Sequence, residues 1–212
     1  MTEKIEKAKT PQIYWELEVK DKNGKVISKN RVAAKSWLKA FIAMLKGHFG
    51  ASQNAHSGNA NSTIVDEQNN SRACPYVTGS SIYGIGCSAL AGVTSESIIV
   101  GSGNTANTIT TYALTTKIAH GTGANQLLYG ASSIEDVTNP SGNDLQFRIT
   151  RVFTNNSGST ITVKEIGILM QEAVTGGSFY PFLAARDVLP SPTDVPDGAT
   201  LTIRYVVKIT VA

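Results

Sequence analysis

Hydrophobic and polar positions alternate along residues 14–20, with Trp15, Leu17 and Val19 on one side and Glu16, Glu18 and Lys20 on the other. That period of two is the mark of a half-buried strand. Asn23-Gly24 offers the positive φ values of a tight turn, and a return strand is expected over residues 25–28. The period then changes to that of a helix. Ala34, Trp37, Leu38, Phe41, Ile42 and Leu45 share one stripe, which predicts an amphipathic helix over residues 32–46, capped by Asn30 and stopped by Gly47.

From His48 to about Leu90 the period is lost and Asn, Ser, Gly and Ala dominate, as expected of long loops with short strands. Short β-prone runs follow at residues 98–100, 108–113, 127–129 and 145–153, and Asn155-Asn156-Ser157-Gly158 is expected to close a hairpin onto residues 160–170. The strongest strand is the last. Over residues 201–211, Leu201, Ile203, Tyr205, Val207, Ile209 and Val211 oppose Thr202, Arg204, Lys208 and Thr210, with Val206 the apolar exception. Many short strands punctuated by Gly, Pro and Asn predict a mainly β protein: an antiparallel β-sandwich, jelly-roll-like, carrying an N-terminal hairpin and one helix. Residues 1–12 read as an arm and residues 13–212 as a single domain.

One stretch sets a polar group against this pattern. Ile161 and Val163 share a face, but Ile166 and Ile168 continue on the other, so a bulge lies near Lys164-Glu165 or both faces are covered. If Glu165 turns inward it needs a partner, because an isolated buried carboxylate is costly. A hairpin turning at residues 155–158 would bring Arg148 or Arg151 to it, as a structural ion pair.

Composition narrows the class. The 212 residues are 41% hydrophobic and 17% charged, which fits a globular domain rather than a charged disordered chain. The polar, Lys/Glu-rich start shows no signal-peptide pattern and no run reaches the ~20 apolar residues of a membrane span, so synthesis in the cytoplasm and no membrane contact are expected. Of 19 Lys and Arg, 11 lie in residues 1–46 with five of the 16 acids, giving +6 there and −3 beyond. Nucleic-acid contact through this basic region is conceivable but not favoured, since the lysines alternate with acids.

Candidate chemistry is sparse. His48, His56 and His120 are dispersed, Asp66-Glu67 lacks a calcium-loop repeat, and the Gly84-Ile85-Gly86 and Gly101-Ser102-Gly103 pairs do not continue as nucleotide-binding loops. No catalytic residue, metal site or cofactor is expected. Cys74 and Cys87 read as two thiols or as one bridge closed in an oxidising exterior. The apolar loop residues Ile82, Tyr83 and Ile85 are the candidate assembly contacts.

The segment Phe153-Thr-Asn-Asn-Ser-Gly-Ser-Thr-Ile-Thr-Val-Lys-Glu-Ile-Gly-Ile-Leu, with Phe182-Leu-Ala-Ala-Arg-Asp-Val-Leu and Val195-Pro-Asp-Gly-Ala-Thr-Leu-Thr-Ile-Arg-Tyr, resembles virion proteins of tailed phages and related prokaryotic viruses. Ile99-Val-Gly-Ser-Gly and Ile118-Ala-His-Gly-Thr-Gly resemble the middle of such sequences, so the likeness spans roughly residues 98–212. It implies a β-sandwich from a capsid, decoration, collar or tail-fibre component, located in the virion, non-enzymatic, and partnered by copies of itself and by other virion proteins. A carbohydrate- or receptor-binding β-sandwich is the other class to weigh. It would show aromatic side chains clustered and exposed on one sheet face.

Overall fold

The computed structural model of the chain describes residues 12–50, 62–74, 86–174 and 178–210. These are mainly β, with one helix. The N-terminal hairpin forms where the alternation places it, as β1 (Gln12–Lys20) and β2 (Val26–Ala33). Asp21 Oδ1 accepts from the N–H groups of Asn23 and Lys25, and Gly24 takes the left-handed φ of 80° that closes the turn.

Strand β2 runs further than its apolar pattern suggests, up to the Tyr14↔Ala33 pairing, so Asn30 lies in a strand and caps no helix. Residues 34–38 then run along the edge of another strand: Trp37 bridges Ala185, and Leu38 N–H donates to the Ala184 carbonyl. Helix α1 (Lys39–Gly50) starts only after this and continues past Gly47. The expected helical start at residue 32 fails because β-pairing satisfies the backbone of residues 32–33, and the backbone of residues 184–186 engages residues 36–38, before a helix can. Its buried face is Ala40 and Met44, with Ile42 out in solvent, so the expected stripe is rotated as well as shortened.

The remaining strands are β3 (Ser62–Val65), β4 (Ser71–Cys74), β5 (Ser97–Gly101), β6 (Ala119–His120), β7 (Gln126–Ile134), β8 (Asp144–Thr154), β9 (Ile161–Ala173), β10 (Phe179–Val195) and β11 (Thr200–Thr210). A six-stranded sheet has the order β2-β1-β11-β8-β7-β6, a three-stranded sheet β10-β9-β5, and β3-β4 form a separate hairpin. The large sheet is mixed rather than wholly antiparallel, because β6 runs parallel to β7. The run at 108–113 forms no strand and turns through Thr108 and Thr111 instead.

One core joins both sheets. Trp15, Leu17 and Val19 of β1, Ile149 and Phe153 of β8 and Leu201, Ile203 and Tyr205 of β11 pack with Ile98–Val100 of β5, Ile166 and Ile168 of β9 and Leu183 of β10. Strand β10 also sends Phe182 and Ala184 into a second cluster with Ala40 and Met44 of α1 and Ile64 of β3. The small sheet is therefore covered on both faces from Glu165 onward, which accounts for the switch between Val163 and Ile166 without a bulge in β9 itself. The irregularities lie in β10, around Ala184 and between Val188 and Thr193.

The Asn155–Gly158 turn is a corner, not a hairpin: β8 belongs to the large sheet and β9 to the small one. Asn155 is fully buried there, its Nδ2 donating to the carbonyls of Ser159 and Val195 at 2.7 and 2.6 Å while its Oδ1 accepts from Ser157. With the Ser157 hydroxyl also donating to Oδ1, four hydrogen bonds from one side chain hold the chain as it leaves one sheet for the other.

Candidate interaction surface

Because β8 and β9 lie in different sheets, neither expected arginine meets Glu165. Its partner is Arg186 of β10, whose Nε donates to Glu165 Oε2 at 2.6 Å, both side chains being essentially inaccessible. The Glu165 carboxylate also accepts the backbone N–H groups of Gly103, Thr115 and Thr116. The remaining guanidinium donors reach Asn107 Oδ1, the Thr105 carbonyl and Thr115 Oγ1. All four carboxylate lone-pair directions and four of the five guanidinium N–H groups are used, so this centre fastens residues 102–117 onto the small sheet. Gly101 and Gly103, which do not continue as a phosphate loop, are glycines for room: a Cβ at either would lie 2.5 Å from Glu165 Oε1.

Arg151 is also buried, but with no carboxylate. It sits on the core face between Ile149 and Phe153 and donates to the carbonyls of Gly130, Glu96, Ile98 and Val93. Its guanidinium lies 4.9 Å from the Tyr129 ring centre. Burial lowers its pKa from the ordinary value. The side chain ties the loop before β5 to the large sheet. Arg148, one position out of phase, is on the opposite face and 3.6 Å from Glu135. The parity of β8 alone distinguishes these two arginines; the partnership with Arg186 depends on sheet assignment, which no local pattern carries.

Two more buried acids have structural duties. Asp187 accepts from Trp15 Nε1 at 2.8 Å and from Lys35 N–H, joining β1, β10 and the start of the 34–38 segment. Asp66 accepts from the N–H groups of Gln68 and Asn70 and from Arg72 Nε, closing the β3-β4 turn. Burial acts to raise its pKa, but those donors outweigh it and hold the carboxyl below its usual value. His120 Nδ1 accepts the Tyr129 N–H. Among the described residues no group of three or more His, Cys, Asp and Glu is placed to hold a metal, and no helix is long and apolar enough to cross a membrane.

What the geometry leaves open is apolar. Cross-strand registers line up successive rows on the core face of the large sheet. Trp15, Tyr205, Ile149 and Ile134 form one row, Ile13, Val207 and Phe147 the next, and Ile209 and Leu145 the last. Burial fades along them. Trp15, Tyr205 and Ile149 are at most 5% exposed, the second row is half-buried, and Ile209, Leu145 and Ile134 are 45%, 43% and 50% exposed. Among the described residues the sheet thus extends beyond the layer that covers it. On its other face at this end the groups are ionic, with Lys208 2.6 Å from Asp144 and Arg148 near Glu135.

Beneath the fading rows, between the two sheets, is a cavity of about 400 Å³ whose walls include Trp37, Phe41, Cys87, Ile168, Met170 and Tyr205. Trp37 Nε1 donates to the Tyr205 hydroxyl at 2.6 Å, and the Trp37 and Phe41 rings meet edge to face at 4.2 Å. Burial pushes the Cys87 thiol up to about 12 and raises the Tyr205 phenol as well. Cys87 is a free thiol. Ile82, Tyr83 and Ile85, the contacts expected from sequence, and the Cys74 side chain lie outside the described residues. The uncovered surface was legible only in part: the alternation of β11 shows which face is apolar, but not where its cover ends.

No protein-family model, no curated protein and no solved structure matches this chain.

Proposed function

We propose that this protein is a non-enzymatic structural subunit that assembles with copies of itself or with neighbouring virion proteins, its two sheets forming the layers of a β-sandwich. The observation that carries the reading is the row of apolar side chains running out of the core into solvent. Covering the exposed halves of Ile134, Leu145 and Ile209 is worth ~1 kcal/mol each, taking ~1.5–3 kcal/mol for a whole aliphatic side chain. Such a surface is typical of a face that meets another protein. The buried polar groups support the same reading, since Glu165, Arg186, Arg151 and Asp187 all serve to fasten loops and strands. The resemblance of residues 98–212 to phage virion proteins favours a capsid, decoration or tail position.

In the basic N-terminal region Arg31 is paired with Glu16, and Lys20 and Lys29 with Glu18, which lowers the charge that this hairpin could offer a nucleic acid. A sugar platform would need clustered exposed aromatics, and Trp37 and Phe179 are the exposed ones among the described residues. Light scattering on the full chain across a hundredfold concentration range tests the proposal. Assembly that persists at high salt is expected of an apolar interface, whereas binding through phosphate contacts falls steeply with salt. A monomer at every concentration, alone and with other virion proteins, would remove the proposal.

A further inference from the structure

The cavity between the sheets has the volume of a small-molecule site, which commonly falls between about 300 and 1,000 Å³ with mainly apolar walls and a few placed polar groups. Its strongest hydrogen-bonding group besides the engaged Trp37 indole is the Tyr205 hydroxyl, on a residue 4% exposed. That oxygen accepts the Trp37 indole N–H, and its own hydrogen has no acceptor among the described residues. A phenol has both a donor and an acceptor role, and a buried one usually finds a partner for its proton. Here the wall is mostly carbon, from side chains such as Phe41, Ile168 and Ala185, and the sulfurs of Met170 and Cys87 are weak acceptors.

We propose that this cavity binds a small apolar molecule carrying a single hydrogen-bond acceptor, such as a ketone or ester oxygen, with the acceptor on the Tyr205 hydroxyl and the hydrocarbon against Phe41, Ile168 and Met170. The wall excludes charged ligands, since a charged group transferred there would lose its hydration without an ionic partner. Entry is from the side of Trp37 and Ile134, the two wall residues most exposed to solvent.

Acetophenone and ethylbenzene are nearly the same shape and differ in the acceptor, so isothermal calorimetry with this pair on the full chain isolates the hydrogen bond. Expected is saturable one-to-one binding, with Kd of about 0.1–1 mM for ligands of this size. Acetophenone should be favoured about three- to tenfold, the value of one net hydrogen bond. Trp37→Phe should keep that preference, because the Tyr205 proton remains. The double variant Trp37→Phe/Tyr205→Phe should lose it, because neither donor is left, while still binding ethylbenzene. A preference that survives in the double variant overturns the proposal, as does the absence of saturable binding to the wild type. In the second case light scattering on the same sample shows whether assembly still stands, so the two ideas fail separately.

Discussion

Replacing Glu165 by Leu should be among the most damaging single changes this chain can suffer. The carboxylate is fully buried and receives four hydrogen bonds, from Arg186 Nε and the N–H groups of Gly103, Thr115 and Thr116. Losing one partner of a buried ion pair costs ~3–5 kcal/mol, because the other charge is left uncompensated. Each backbone N–H left without an acceptor adds ~1–3 kcal/mol, less whatever entering water restores. A loss of ~4–6 kcal/mol is expected, against a total stability of ~5–15 kcal/mol for a native domain. Urea unfolding followed by Trp15 and Trp37 emission, and separately by far-ultraviolet circular dichroism, measures it.

The double variant Glu165→Leu/Arg186→Leu is the informative companion. It removes the stranded charge but not the orphaned N–H groups, so it should be at least ~1 kcal/mol more stable than Glu165→Leu alone and still below wild type. Gly103→Ala should destabilise the wild type, since its Cβ would meet Glu165 Oε1 and Thr115 Cβ at 2.5 Å, and should cost less in the Glu165→Leu background. A Glu165→Leu variant within ~1 kcal/mol of wild type, or additive effects at Glu165 and Arg186, would refute the account of this centre.

Met44→Ala should cost ~2–5 kcal/mol in the same urea assay, whereas Ile42→Ala should fall within ~0.5 kcal/mol, because Met44 is fully buried and Ile42 is 53% exposed. Asp144, held at about 2 by Lys208 first and then Thr210, has a folded pKa below its unfolded value, so its stabilisation is present above about pH 4 and is lost as pH falls through about 2. Thermal melts between pH 5 and pH 2 should therefore fall less steeply for Asp144→Asn than for wild type. In a Cys74→Ser background, Cys87 should react with a thiol reagent at pH 8 far more slowly than the same cysteine in the urea-unfolded chain, since burial raises its thiol to about 12 and leaves little thiolate; equal rates in the folded and unfolded protein would contradict that burial.

Local alternation fixed much of this protein in advance. The faces of β1 and β11 follow from period-two patterning, because a strand's two faces are decided by neighbours along the chain, and the 23–24 turn follows from its Asn-Gly pair; at Glu165 the pattern left a bulge and a two-sided cover both open. Parity also separates inward Arg151 from outward Arg148. Tertiary structure decided the rest. Whether residues 32–38 became helix or strand and edge was settled by the backbone partners waiting on β1 and β10. The corner at Asn155 sent β9 into another sheet, so Glu165 met Arg186, 21 positions away, rather than an arginine of β8. The uncovered rows and the cavity below them are likewise invisible to pattern. Their existence depends on where the small sheet stops, a property of how two layers overlap and not of either strand alone.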